Sequence, residues 1–129
     1  MGHLEGHAQV ILLKDVRSIE LGECVRITGF IKKNYRDVGF VELADEDHSV
    51  FIDCRKLPEE SMLEFHQVQI VGEVQSPPTG ILPAISSSVS SAMVVASYIR
   101  YVDEVDMPAY RNGVYLRKRF VEYLQVDAT

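Results

Sequence analysis

The chain has 129 residues, 47% of them apolar and 25% charged, which makes one domain that buries roughly two thirds of its unfolded surface and leaves no room for a second. Thirteen Lys and Arg against 19 Asp and Glu give a net charge of -6, a poor balance for holding polyanionic nucleic acid unaided, so any such role is shared with a more basic partner. No apolar run approaches the ~20 residues of a bilayer span, and no basic stretch precedes "AQVILL", which argues for a soluble chain without a secretory signal. Cys24 and Cys54 lack metal-ligand spacing and suit a reducing compartment.

Residues 1–8, "MGHLEGHA", have no period and read as a flexible start; 9–125 form the domain and 126–129 a tail. "QVILLKDV" reads as a short strand or turn, and Gly22 marks the turn before the first long strand. In "CVRITGFIKK" Val25, Ile27 and Ile31 share one parity, with Arg26, Thr28, Phe30 and Lys32 on the other, the pattern of a half-buried strand. Gly29 takes an inner position, which suits the sharp coiling or bulge of a small barrel. "NYRDVG" is a hairpin turn; "FVELA" and "SVFIDC" are strands joined by the acidic turn Asp45, Glu46, Asp47. "KLPEESMLEFHQ" changes period, with Pro58 opening a short helix. "QVQIVGEVQ" returns to alternation. "SPPTGILPAISSSVSSA", residues 76–92, is a long surface loop or mobile insert. "MVVASYIRYV" is the fifth strand, and 106–125 is the only long helix.

Five strands with a short helix between the third and fourth and a long helix at the end give the element order of an OB-fold, a five-stranded Greek-key barrel, and the chain is therefore expected to be mainly β. A sandwich or SH3-like barrel would not usually place a helix there. Asp106 is a good N-cap and Pro108 a good first-turn residue for the last helix. On a helical projection its apolar residues, including Met107, Tyr110, Val114, Leu116, Phe120, Tyr123 and Leu124, fill an arc of about 180°, with Arg111, Lys118, Arg119 and Glu122 opposite. A helix packing only on its own barrel needs about 100°. The surplus cluster of Leu116, Phe120 and Tyr123 marks a partner site.

The segments "VRITG", "VFIDCRKL", "IVGEV" and "RYVDEVDMPAYRNGVYLRKRFVEYL" resemble, in order and spacing, the smallest subunit of CST, the telomere-capping and polymerase-accessory complex. The likeness runs from about Val10 to Leu124. It implies an OB-fold that heterodimerises with the middle CST subunit through the last helix and the adjoining barrel wall, in nuclei at telomeric chromatin, supporting single-stranded telomeric DNA weakly or only within the complex. By position, Phe120 matches a late-helix aromatic at that contact and Arg26 a first-strand arginine near it. The expected interface is therefore Arg26, Tyr110, Leu116, Phe120, Tyr123 and Leu124. The serine-rich loop is longer than that family usually has, and Cys54 stands where a threonine is common. The smallest subunit of replication protein A is also similar in strand order and in the opening of its helix.

OB domains read single strands with aromatic and basic side chains on the outer sheet face. Phe30, Lys32, Lys33, Tyr35 and Arg36 form such a mixture, and a solvated hairpin tip is the competing reading. An autonomous single-stranded nucleic-acid-binding module is the contrasting function. No catalytic, metal or cofactor site is expected. "HLEGH" has the wrong order for a zinc protease, since Glu5 sits one place late beside Gly6. His48 and His66 read as solvated or hydrogen-bonded imidazoles, Asp45 to Asp47 as a solvated turn, and Asp103, Glu104 and Asp106 as helix-start charges.

Overall fold

A computed structural model describes residues 8–58, 64–77 and 92–127, with side chains placed as far as Arg119. Among the described residues six strands build one sheet: β1 (Gln9–Val10), β2 (Cys24–Tyr35), β3 (Phe40–Asp45), β4 (His48–Asp53), β5 (Gln67–Gln75) and β6 (Met93–Tyr101); helix α1 (Met107–Asp127) follows. The sheet order is β1-β2-β3-β4-β6-β5, and β5 pairs back onto β2, closing a barrel. The five long strands are the expected ones. The two-residue β1, parallel to the start of β2, adds a sixth. The expected short helix and the serine-rich loop fall on residues 59–63 and 78–91, outside the described residues; Glu64 and Phe65, which follow the former, form a turn.

Closure depends on β2, long enough to serve two neighbours. Its first half pairs with β5, from Cys24 opposite Glu73 to Phe30 opposite Gln67. Its second half pairs with β3, from Phe30 opposite Ala44 to Tyr35 opposite Phe40, with a register shift between Ile31 and Lys33. A Cβ on Gly29 would come within 2.9 Å of both Leu43 Cγ and the Ala44 carbonyl. The missing inner side chain is thus the room β3 needs to bend across β2. Gly72 does the same between β5 and β6, where a Cβ would run into the Val95 carbonyl.

Val25, Ile27, Ile31, Val41, Leu43, Val50, Ile52, Val68 and Ile70 fill the interior, and a 3₁₀ helix, Leu13–Ser18, adds Leu13 and Val16 to it. A second cluster lies apart, with Phe40, Phe51 and Met93 buried against Tyr35 and Val95. β3 and β4 are consequently covered on both faces, as their unbroken buried runs show. Cys54 is buried as a small apolar residue, and its thiol is pushed up to about 12 by that burial and then by the Asp53 charge.

Two expectations are corrected. The acidic turn is no solvated tip, because the Asp45 side chain is largely buried and receives a 2.6 Å bond from Arg111 Nη1. Arg111 accordingly faces the barrel rather than solvent.

Candidate protein and nucleic-acid interfaces

The passage from β6 into α1 is pinned by hydrogen bonds. Gln67 Nε2 donates to the carbonyls of Val102 and Val105, each at 2.9 Å. Asp103 accepts the Gln67 backbone N–H at 2.8 Å and His66 Nδ1 at 2.9 Å; the His66 bond, first, and the backbone N–H hold its carboxyl below the usual range. Asp106 caps the helix through the Ala109 N–H at 3.3 Å. Arg111 then ties the second turn to Asp45 and, at 3.6 Å, to Glu46. Met107, Tyr110, Arg111 and Val114 are the half-covered residues of this face. The Tyr110 hydroxyl is buried without a hydrogen-bond partner among the described residues.

These anchors turn the opposite face outward. Ala109 and Gly113 are exposed, and Leu116 is 55% exposed. Positions 109, 113, 116, 120 and 123 recur at alternating steps of four and three, the seam spacing of a helix that packs along another helix. Phe120, Tyr123 and Leu124 belong to the helical backbone, but their side chains lie outside the described residues. Tyr115 is exposed beside the seam, with the Arg119 guanidinium over its ring and donating to its hydroxyl at 3.1 Å.

Four of the five residues expected to contact nucleic acid are engaged by neighbours within the chain. Lys32 pairs with Glu42 at 3.6 Å. Lys33 lies 5.0 Å over the Tyr35 ring. Tyr35 packs edge-on against Phe51 at 6.2 Å, and burial, together with the Glu42 charge and hydrogen bond, raises its phenol. Arg36 is exposed in the β2–β3 turn. Phe30, on the same strand as Tyr35, is tilted at 6.0 Å from Phe65. Phe65 is 70% exposed and sits at a positive φ of 69. Its N–H donates to the Ile31 carbonyl at 2.8 Å, which holds this disfavoured backbone in place.

The outer face of β3 and β4 carries two buried carboxylates, Glu42 and Asp53, 5% and 4% exposed. Each has its cation. Arg55 holds Asp53 in a fork, Nε to Oδ1 at 3.0 Å and Nη2 to Oδ2 at 2.7 Å, and lies over the Phe40 ring. Burial pushes the Asp53 carboxyl up, but the Arg55 side-chain and backbone hydrogen bonds and charge outweigh it and hold the carboxyl below its usual value.

Arg26 projects from the outer face of β2 and donates from Nη1 to Gln69 Oε1 at 3.1 Å. Arg100 of β6 donates to the same oxygen from Nε at 3.1 Å and Nη2 at 2.9 Å. Gln69 Nε2 turns away to Thr28 Oγ1 at 3.2 Å. Neither arginine has a carboxylate partner among the described residues.

The sequence model of the telomere-capping, CST complex subunit family matches residues 4–124. The chain belongs to that family. The match decides between the two resemblances drawn from the sequence, in favour of CST and against replication protein A. A chain of the Saccharomyces pombe Stn1–Ten1 complex is similar to this one at 22% identity, covering 87% of this chain and 92% of that one, with a TM-score of 0.68. Ten1 from S. pombe aligns at 22% identity over 87% and 98%, with a TM-score of 0.67. The asparaginyl-tRNA synthetase of Entamoeba histolytica shares 14% identity over 78% of this chain and 25% of its own, with a TM-score of 0.58. At these identities the likeness is one of fold, the OB barrel. No curated protein sequence matches the chain.

Within this CST-family barrel, no cluster of three or more His, Cys, Asp or Glu able to hold a metal occurs among the described residues, and no helix there is long and apolar enough to cross a membrane. Gln69 and Arg100 were not singled out in the sequence. They lie 31 to 43 residues from their contacts, and only the β2–β5–β6 register brings them together. The one available signal was an arginine on the outward parity of each of two strands.

Proposed function

We propose that this CST-family chain is a noncatalytic OB-fold subunit that heterodimerises with the OB-fold middle subunit of its complex, and through that pairing supports single-stranded telomeric DNA binding, end protection and replication in the nucleus. The observation that carries this reading is the outward seam of α1. The barrel holds the helix by the side that carries Met107, Tyr110, Arg111 and Val114, with Arg111 tied to Asp45, and leaves Leu116 in water. Alanine and glycine at the first two seam positions allow a second helix to approach closely, with larger residues following at 116, 120 and 123. The S. pombe relative was crystallised as an Stn1–Ten1 complex, which supports a protein partner for this chain.

Direct contact with nucleic acid is secondary in this reading. Lys32 and Lys33 are engaged by Glu42 and Tyr35, and the acidic total opposes a polyanion. The test is titration of the chain with its middle subunit. Leu116→Glu is expected to weaken binding by about 100-fold, from one lost apolar contact and one charge placed in the seam, while the melting temperature of the isolated chain stays unchanged. Wild-type affinity in Leu116→Glu would refute the seam as the interface.

A further inference from the structure

From Tyr115 to Arg119 every residue of α1 is exposed, so the helix stands clear of the barrel beyond its second turn. The gap is a recess of about 530 Å³, walled by the 3₁₀ helix, the β3–β4 turn and one side of α1. Its charges do not cancel. Arg111 is occupied by Asp45 and Glu46. Lys14 on one wall and Lys118 and Arg119 on the other have no carboxylate partner among the described residues, and of the carboxylates described in the recess Asp15 alone is left to oppose them. A chain of net charge -6 thus gathers three unpaired cations around one cavity. Tyr115 adds a second feature. Its ring is half exposed, with the Arg119 guanidinium 5.8 Å from the ring centre. A flat aromatic and a flat cation therefore stand together, and both kinds of surface stack nucleobases. Leu12 and Val114 supply apolar lining beside them.

The ligand that fits these groups carries several negative charges close together and a flat ring. A peptide carboxylate answers one cation and leaves the others, whereas a phosphate chain meets lysines from two walls at once. A lone phosphate would leave the stacking surface empty and most of the space unfilled, in a recess whose size falls within the roughly 300–1,000 Å³ of small-molecule sites. A strand held along its length needs successive aromatic rings, and Tyr115 is the one Phe, Tyr or Trp among the described residues of the lining. We propose that this recess binds one nucleotide, its phosphates between Lys14 and Lys118 and its base against Tyr115 and Arg119. Successive helical residues are about 100° apart, which puts Arg111, Tyr115 and Lys118 on the side of α1 away from Ala109, Gly113 and Leu116. The site is therefore independent of the pairing proposed above.

The experiment is calorimetric titration of the full chain, alone and with its middle CST subunit, with ATP and separately with a dT12 oligonucleotide, at low and high salt. ATP is expected to bind the chain in both states, more weakly at high salt. Lys14→Ala and Lys118→Ala are each expected to weaken ATP binding about 10-fold and to flatten its salt dependence, because each removes a phosphate partner. Tyr115→Ala is expected to weaken it about 10-fold with the salt dependence kept, because stacking on a neutral ring releases no counterions. All three side chains are exposed, so the melting temperature should not change. ATP bound more tightly than dT12 identifies a free nucleotide as the ligand; dT12 bound more tightly, and displaced by ATP, identifies the end of a strand. Absence of ATP binding at low salt overturns the proposal, as does ATP binding that none of the three substitutions weakens. Displacement of ATP by an equal concentration of hexaglutamate also overturns it, since the recess would then select charge alone. ATP binding lost in the complex would place the recess within the subunit interface and overturn its independence. If no complex forms, the pairing falls, and titration of the chain alone still decides the site.

Discussion

The outer faces on the two sides of the barrel handle charge in opposite ways. Over β3 and β4, the carboxylates of Glu42 and Asp53 are buried, and each meets a cation from a neighbouring stretch of the same chain, Lys32 and Arg55. Over β2, β5 and β6, two arginines share a neutral amide and meet no carboxylate among the described residues. The first face is complete within the molecule. The second satisfies its geometry but not its charge, and so is the one poised to recognise something else. In an OB-fold the face complete here is the usual place for oligonucleotides, which explains why the aromatic and basic residues of the β2–β3 hairpin pack or pair locally.

Perturbing each face should separate these roles. The largest effect is expected for Phe51→Ala, which removes a fully buried ring from the completed face and should cost about 3–5 kcal/mol in urea unfolding. A smaller loss, about 1–3 kcal/mol, is expected for Asp53→Asn at neutral pH. Since the folded Asp53 carboxyl sits below its ordinary value of 3.8, its contribution is present above that value and is lost as pH falls through the lower folded value. The difference between wild type and Asp53→Asn should therefore shrink on acidification below pH 3.8, and a difference independent of pH would disprove this origin. The smallest effect is expected on the open face. Arg100→Gln should leave stability within about 0.5 kcal/mol of wild type, or raise it slightly as repulsion is relieved; a loss above about 2 kcal/mol would mean that Arg100 is structural.

Much of the barrel was legible in the sequence because strand alternation reports burial directly. Val25, Ile27 and Ile31 sit on the inner parity that their spacing required, and Asp106 caps the helix it was expected to cap. The second cluster was less visible, because a strand covered on both faces, as at Phe40 to Leu43, loses the period that distinguishes inside from outside. Arg111 was misplaced for another reason. Hydrophobic patterning identifies the apolar side of a helix but not which side meets its own domain, and here an ion pair to Asp45, 66 residues away, made that choice. Likewise, the meeting of Arg26 with Arg100 depends on register across three strands.

The Gln67 amide has a reach beyond its own neighbourhood. By holding the Val102 and Val105 carbonyls together, it sets the heading of a 21-residue rod. At ~1.5 Å per residue that rod is about 30 Å long, so a swivel of about ten degrees at its root would carry the tip roughly 5 Å sideways, close to one helical pitch. A single side chain in the barrel wall thus aims the far end of the molecule.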